Sequence, residues 1–166
     1  MTKKYLSNVI IICLLCISLI SCYPQVYVSD LKIVHLGGIH GGIGIDKPYW
    51  TDQLIMCGII FKKGVVIHPE DGGMIAFAEF LLPRKRGRLV GTAGWAEQVD
   101  VIHNGRMRYR FFADGKLLYA GEIKGKDCEK VNLDLGNASV LRIETDDGDD
   151  RYWADHMAFG DLRIEY

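Results

Sequence analysis

The chain has 166 residues, with 20 Lys and Arg against 21 Asp and Glu and a formal net charge of −1. That length fits one domain with a core of its own, and the near-neutral balance leaves no electrostatic footprint for nucleic acid. Hydrophobic residues make up 49%, and the 19 glycines fall largely between apolar runs, which points to many short elements joined by turns.

In chain order, Lys3 and Lys4 come first, followed by an apolar run over 9–20 and then Leu19-Ile20-Ser21-Cys22. The run is shorter than the roughly 18–20 residues of a membrane span, and the small residue before a cut site suits a secretory signal. The segment resembles the lipobox of bacterial lipoprotein signal peptides, which implies cleavage before Cys22 and lipidation of that cysteine. The expected organisation is a signal peptide over 1–21, a lipidated start and short linker over 22–25, and one domain over 26–166. The alternative for the leader is an uncleaved anchor helix. Loss of Lys3 and Lys4 with the leader takes the net charge to −3. Tyr23, rather than aspartate, follows Cys22, which favours the outer membrane in a Gram-negative source. The expected location is therefore the bacterial envelope, lipid-anchored.

From there on the chain reads as β. Candidate strands are 26–34, 54–61, 65–68, 74–82 and 89–93. Strict alternation marks Arg106-Met107-Arg108-Tyr109-Arg110-Phe111, Val131-Asn132-Leu133-Asp134-Leu135, Leu141-Arg142-Ile143-Glu144 and Leu162-Arg163-Ile164-Glu165-Tyr166. Period two puts one row in a core and the other in water, as in antiparallel sheets with one wet face. Asp114-Gly115 between two such runs predicts a two-residue hairpin. No sustained helical period appears, so the expected class is an all-β sandwich. The stretch 36–50, with Gly37, Gly38, Gly41, Gly42 and Gly44, is the longest irregular segment. It lacks both GxGxxG before a helix and GK[ST], which excludes a phosphate-binding loop, but loops of this length are often functional.

Five cysteines occur, and Cys13 and Cys16 leave with the leader. Cys57 and Cys128 form a disulfide in an oxidising compartment or pack as two buried thiols; both readings stay open. No Cys/His spacing suits zinc. Arg84-Lys85-Arg86 with Arg88 reads as a solvated loop tip. The acidic run Asp146, Asp147, Asp149, Asp150 reads by default as a solvated turn, because its spacing is not that of an EF-hand. Among aromatics, Trp50 and Trp153 are candidate stacking platforms for a sugar ring, and Trp95 is read as core. A sugar site needs such a platform together with fixed donors and acceptors.

Several short motifs then fall in one order: Tyr27-Val28-Ser29-Asp30-Leu31, Phe61-Lys62-Lys63-Gly64-Val65-Val66-Ile67-His68, Asp114-Gly115-Lys116-Leu117-Leu118-Tyr119, Asp146-Asp147-Gly148-Asp149 up to Asp155-His156, and Phe159-Gly160-Asp161. This order resembles the NPCBM family and is similar to family 51 carbohydrate-binding modules. The chain departs from the family pattern at Ala96, where an acid is usual, and at Phe159, where tryptophan is usual. The resemblance implies a galactose-binding-like β-sandwich of jelly-roll type that binds galactose-containing or related glycans and does not catalyse. It places His68, Asp155 and His156 with Trp50 and Trp153 at the sugar site, and it makes a structural calcium a possibility. No nucleophile accompanies Asp155-His156, so that pair is not read as a hydrolase. The expected partners are a glycan and, through the lipid, a membrane. The alternative is a structural lipoprotein on the same fold, with a degenerate sugar site and an envelope protein as partner.

Overall fold

The computed structural model describes residues 24–39, 42–69, 74–97, 105–148 and 156–166. The proposed leader, Cys22, Trp153 and Asp155 lie outside them. Two antiparallel sheets form the body. The first has the order β11 (Cys128–Asp134), β8 (Arg88–Trp95), β13 (Met157–Glu165), β6 (Gly64–Ile67) and β3 (Gly44–Ile45), with β1 (Gln25–Tyr27) also on β13. The second runs β10 (Lys116–Lys124), β9 (Arg106–Ala113), β12 (Val140–Asp146), β7 (Ala76–Leu81) and β2 (Ile33–Gly37). A short hairpin, β4 (Leu54–Met56) and β5 (Ile59–Phe61), stands apart from both. The expected all-β sandwich is the observed fold, and among the described residues the strands run from Gln25 to Glu165.

Alternation builds that core. In β9, Met107, Tyr109 and Phe111 point inward while Arg106, Arg108 and Arg110 face out. The inward row meets Leu141 and Ile143 of β12, and Val65, Ile67, Phe159 and Ile164 of the opposite sheet. Tyr109, Phe111 and Phe159 pack edge to face at 5.4 to 5.8 Å between ring centres, a favoured arrangement of aromatic quadrupoles. Trp95 is also core, 1% exposed, as the sequence suggested. Tyr109 carries its hydroxyl into this core because Glu129 accepts it at 2.7 Å; Tyr119 donates to the same carboxylate. Burial first, then Glu129, raise the Tyr109 pKa, so the phenol stays protonated.

Two candidate strands are broken in the structure. The stretch 26–34 splits at a 3-10 turn, Val28–Asp30, because β1 pairs with β13 in one sheet and β2 pairs with β7 in the other. The chain has to cross the sandwich edge there, and the fully buried Val28 anchors the crossing. The stretch 54–61 folds back on itself at Cys57 and Gly58, whose φ values are 51° and 70°, the left-handed pair of a tight hairpin. Its apolar residues conceal the turn. The predicted Asp114-Gly115 hairpin forms as read, with φ of 45° and 79°.

The β4–β5 hairpin lies over the outer face of the first sheet. Leu54, Met56 and Phe61 pack on Val66, Ala96 and Ala158 in a second, smaller cluster. Phe61 comes so close to Gly160 that a Cβ there would sit 2.5 Å from its ring. Cys57, at the hairpin tip, is disulfide-bonded to Cys128 at the start of the edge strand β11, with the Cα atoms 6.3 Å apart. This settles the open choice between a bridge and two thiols.

The acidic run is not a solvated turn where it is described. Asp146 and Asp147 are 2% and 4% exposed. Arg108 Nε and Arg110 Nη2 donate to the Asp146 carboxylate at 2.6 and 2.9 Å. The outward row of β12 therefore lies against arginines of β9, and pairing across strands desolvates it.

Candidate functional site

The sequence around residues 46–52 is built to present two aromatic rings. Asp46 adopts φ 62°. Its Oδ1 accepts the Gly64 N–H at 3.1 Å, and its Oδ2 accepts Lys63 Nζ at 2.9 Å. Lys63 also donates to Asp30 at 2.6 Å. Further on, Lys47 Nζ donates to Asp52 Oδ1 at 2.6 Å and closes the loop that carries Pro48, Tyr49 and Trp50. Pro48 is buried as the loop's foot, whereas Tyr49 is 61% exposed.

Three of the sequence-chosen residues meet here. His68 follows the last residue of β6, and His156 precedes the first residue of β13, whose Met157 pairs with Ile67. The Trp50 ring tilts over the His156 imidazole at 3.9 Å between centres and 32° between planes. His68 meets the same imidazole at 4.2 Å and 69°, edge to face. Tyr49 stands edge-on to Trp50 at 4.7 Å and to His156 at 6.1 Å. His156 is 4% exposed, so it supports the cluster from below, whereas Trp50, His68 and Tyr49 reach its surface. The buried Trp50 Nε1 has no hydrogen-bond partner among the described residues.

Tyr49 was missed by the sequence reading, although its place between Pro48 and Trp50 was a signal. Of the two departures from the family pattern, Phe159 lies away from the cluster and Ala96 lies directly beneath it. Phe159 is fully buried between the sheets, and Ala96 is buried beneath the hairpin, its N–H donating to the His156 carbonyl at 2.9 Å. Among the described residues no three His, Cys, Asp or Glu side chains are gathered in a way that would hold a metal ion.

Asp46 makes the loop sensitive to acid. Burial alone would raise its pKa, but hydrogen bonds from Lys63 and the Gly64 N–H, together with the Lys63 charge, outweigh burial and lower it. A carboxylate with a depressed folded pKa stabilises above its unfolded value, and that contribution is lost as pH falls through the folded one. Asp46→Asn is expected to lower stability at neutral pH by under about 1 kcal/mol. The difference from wild type should close as the pH drops below the usual carboxylate range. Melting temperatures of both proteins across that range test this, and a difference that stayed constant with pH would refute it.

A two-sheet antiparallel sandwich with aromatic and imidazole rings gathered at one end is the build of a galactose-binding-like carbohydrate-binding module. The NPCBM/NEW2 domain profile matches residues 24–165, and the chain belongs to that family. Among solved structures it is similar to the CBM51 module of a Clostridium perfringens family 95 glycoside hydrolase in complex with methyl-galactose. That match has TM-score 0.70 and 17% identity, covering 85% of this chain and 99% of that one. It is also similar to the C. perfringens ZmpB fragment holding CBM51-2, in complex with GlcNAc, and INT domains, with TM-score 0.71, 15% identity and 86% of this chain covered. The tandem CBM51 modules of a Streptococcus pneumoniae family 98 glycoside hydrolase match with TM-score 0.66 and 19% identity over 85% of this chain. The chain spans 31% of the ZmpB fragment and 46% of the tandem-module chain. At these identities the likeness is one of fold. Among curated protein sequences none matches.

Proposed function

We propose that this domain is a non-catalytic glycan-binding module, with galactose-containing or related glycans as ligands and the Tyr49, Trp50, His68 and His156 cluster as its site. The observation that carries the reading is the convergence of Trp50, His68 and His156 from three separate stretches of chain. Trp50 would cover the apolar face of a sugar ring, with His68 meeting a hydroxyl. Trp153 and Asp155 belong to the same proposal from sequence. The methyl-galactose carried by one structural relative supports the sugar class. We further propose that the chain is held in the bacterial envelope by a lipid on Cys22, in the outer membrane if the source is Gram-negative.

A glycan array probed with residues 24–166 in the presence of calcium tests the reading, together with Trp50→Ala and His68→Ala. Central aromatic anchors cost about 2 kcal/mol or more on truncation, so Trp50→Ala should weaken binding roughly 30-fold. An unchanged melting temperature would separate that loss from unfolding. One observation favours a second reading, a protein partner on the same fold: Ala96 supplies no side-chain acceptor where the family pattern carries an acid. A folded wild-type domain that binds nothing on the array would favour it.

A further inference from the structure

The chain's N-terminal entry and its densest basic segment emerge together, at the end of the sandwich away from the ring cluster. The Tyr166 N–H donates to the Pro24 carbonyl at 3.1 Å, which puts the start of the described chain beside its last residue. The Arg84 guanidinium lies 5.7 Å over the Tyr166 ring. Arg84 belongs to the loop between β7 and β8, where Arg84, Lys85 and Arg86 are exposed, as is Arg88 at the start of β8. The aromatic and imidazole cluster lies just before the other end of β13, whose nine residues span about 30 Å.

The basic loop is held in place and is not a loose tip. The Arg86 N–H donates to the Gly136 carbonyl at 2.7 Å, and the Leu135 N–H to the Gly87 carbonyl at 2.9 Å. Arg86 itself sits at φ 61°, a conformation that is strained for a side chain of its kind and is tolerated where surroundings over-determine it. Among the described residues none of the four cations makes a salt bridge. Arg88 donates to the Asn132 amide oxygen, and Lys85 to the Ser139 hydroxyl. Carboxylates at the same end are engaged from within. The Ser139 and Val140 N–H groups hold Asp114, with Lys85 acting on it from further off. The Gly136 N–H holds Asp134, and Arg163 holds Glu165. These contacts leave the carboxylates charged, but Arg84, Lys85, Arg86 and Arg88 outnumber Asp114, Asp134 and Glu165, so this end is basic by a small margin on a domain whose overall charge is negative.

We propose that this loop is the membrane-facing surface of the protein, seated on anionic lipid headgroups so that the ring cluster points away from the bilayer. The inference rests on the reading of Cys22 as a lipid anchor, because Pro24 leaves the fold beside the loop. A lipid anchor and a basic patch act together, the second orienting what the first retains.

The two parts can be tested separately. Residues 24–166, which carry no lipid, are mixed with vesicles of phosphatidylcholine alone or with phosphatidylglycerol, and co-sedimentation is measured. Each Lys or Arg at an anionic surface raises partition about fivefold. Binding is expected to need phosphatidylglycerol, to weaken with salt, and to fall on the order of a hundredfold in Arg84→Gln/Lys85→Gln/Arg86→Gln. Arg86→Gly removes one charge at a position whose backbone suits glycine, and should lose about fivefold without losing stability. Equal partition onto both vesicle types, or an unaffected triple variant, overturns the proposal. Binding to inorganic polyphosphate without binding to vesicles overturns it in favour of a soluble polyanion. Fatty-acid labelling of the full chain, with and without Cys22→Ala, reads the anchor independently. An unlabelled chain whose domain still binds anionic vesicles would refute the anchor and leave the headgroup surface standing.

Discussion

Replacing Cys57 and Cys128 by serine is expected to cost about 4 kcal/mol of stability and to lower the melting temperature by roughly 10 °C or more. The bridged residues are 71 apart in sequence, so the bond removes a large closure entropy from the unfolded chain. Its structural effect should be local. β11 keeps its full ladder with β8 from Cys128 to Asp134, whereas the β4–β5 hairpin has its own three pairs, two hydrogen bonds with Glu97 and the small Leu54, Met56 and Phe61 cluster to hold it. Trp50 packs at the edge of that cluster. The serine variant should therefore lose hydrogen-exchange protection first in β4, β5 and the Trp50 loop, and glycan binding should weaken before the sandwich melts. Calorimetry and exchange on both proteins check this. A melting temperature unchanged by the double substitution would show that the hairpin is held by packing alone.

The second large effect is expected at Asp146. Its side chain is 3% exposed, it takes charged hydrogen bonds from Arg108 and Arg110, and it accepts the Gly148 N–H at 3.0 Å. Asp146→Ala leaves two partly buried guanidinium groups without their shared carboxylate and the 146–148 turn without its acceptor. Removing one member of a fully buried pair costs about 3–5 kcal/mol; here the arginines are partly solvated and Arg110 keeps Glu144 at 3.8 Å, so about 2 kcal/mol is expected. Asp146→Asn should fall between, because an amide oxygen still serves Gly148 but carries no charge. Chemical denaturation of the two variants measures this. A loss below about 1 kcal/mol in the alanine variant would place the pair with ordinary surface ion pairs.

Both predictions concern features that the sequence concealed. Asp146 read as one of a solvated acidic run because its neighbours in sequence are acidic. The arginines that neutralise it sit on β9, 36 and 38 residues away, and only the β9–β12 register brings them opposite. The hairpin turn at Cys57-Gly58 was hidden because apolar residues flank it on both sides, and the pairing partner that fixes Cys57 is 71 residues away.

What the sequence determined by itself was the local physics. Alternation in 106–111 and 141–144 set which side chains enter the core, and Asp114-Gly115 specified its hairpin, because strand periodicity and turn chemistry depend on neighbours one or two residues away. Motif order pointed to the family, and that resemblance nominated His68 and His156, while Trp50 was nominated as the aromatic that ends the glycine-rich segment. Tertiary structure alone decided that these three rings touch, that His156 lies beneath the other two, that Tyr49 joins them, and that the basic loop shares an end with Pro24. Each of these depends on strands distant in sequence lying side by side, and that adjacency is fixed by the packing of two sheets around one core.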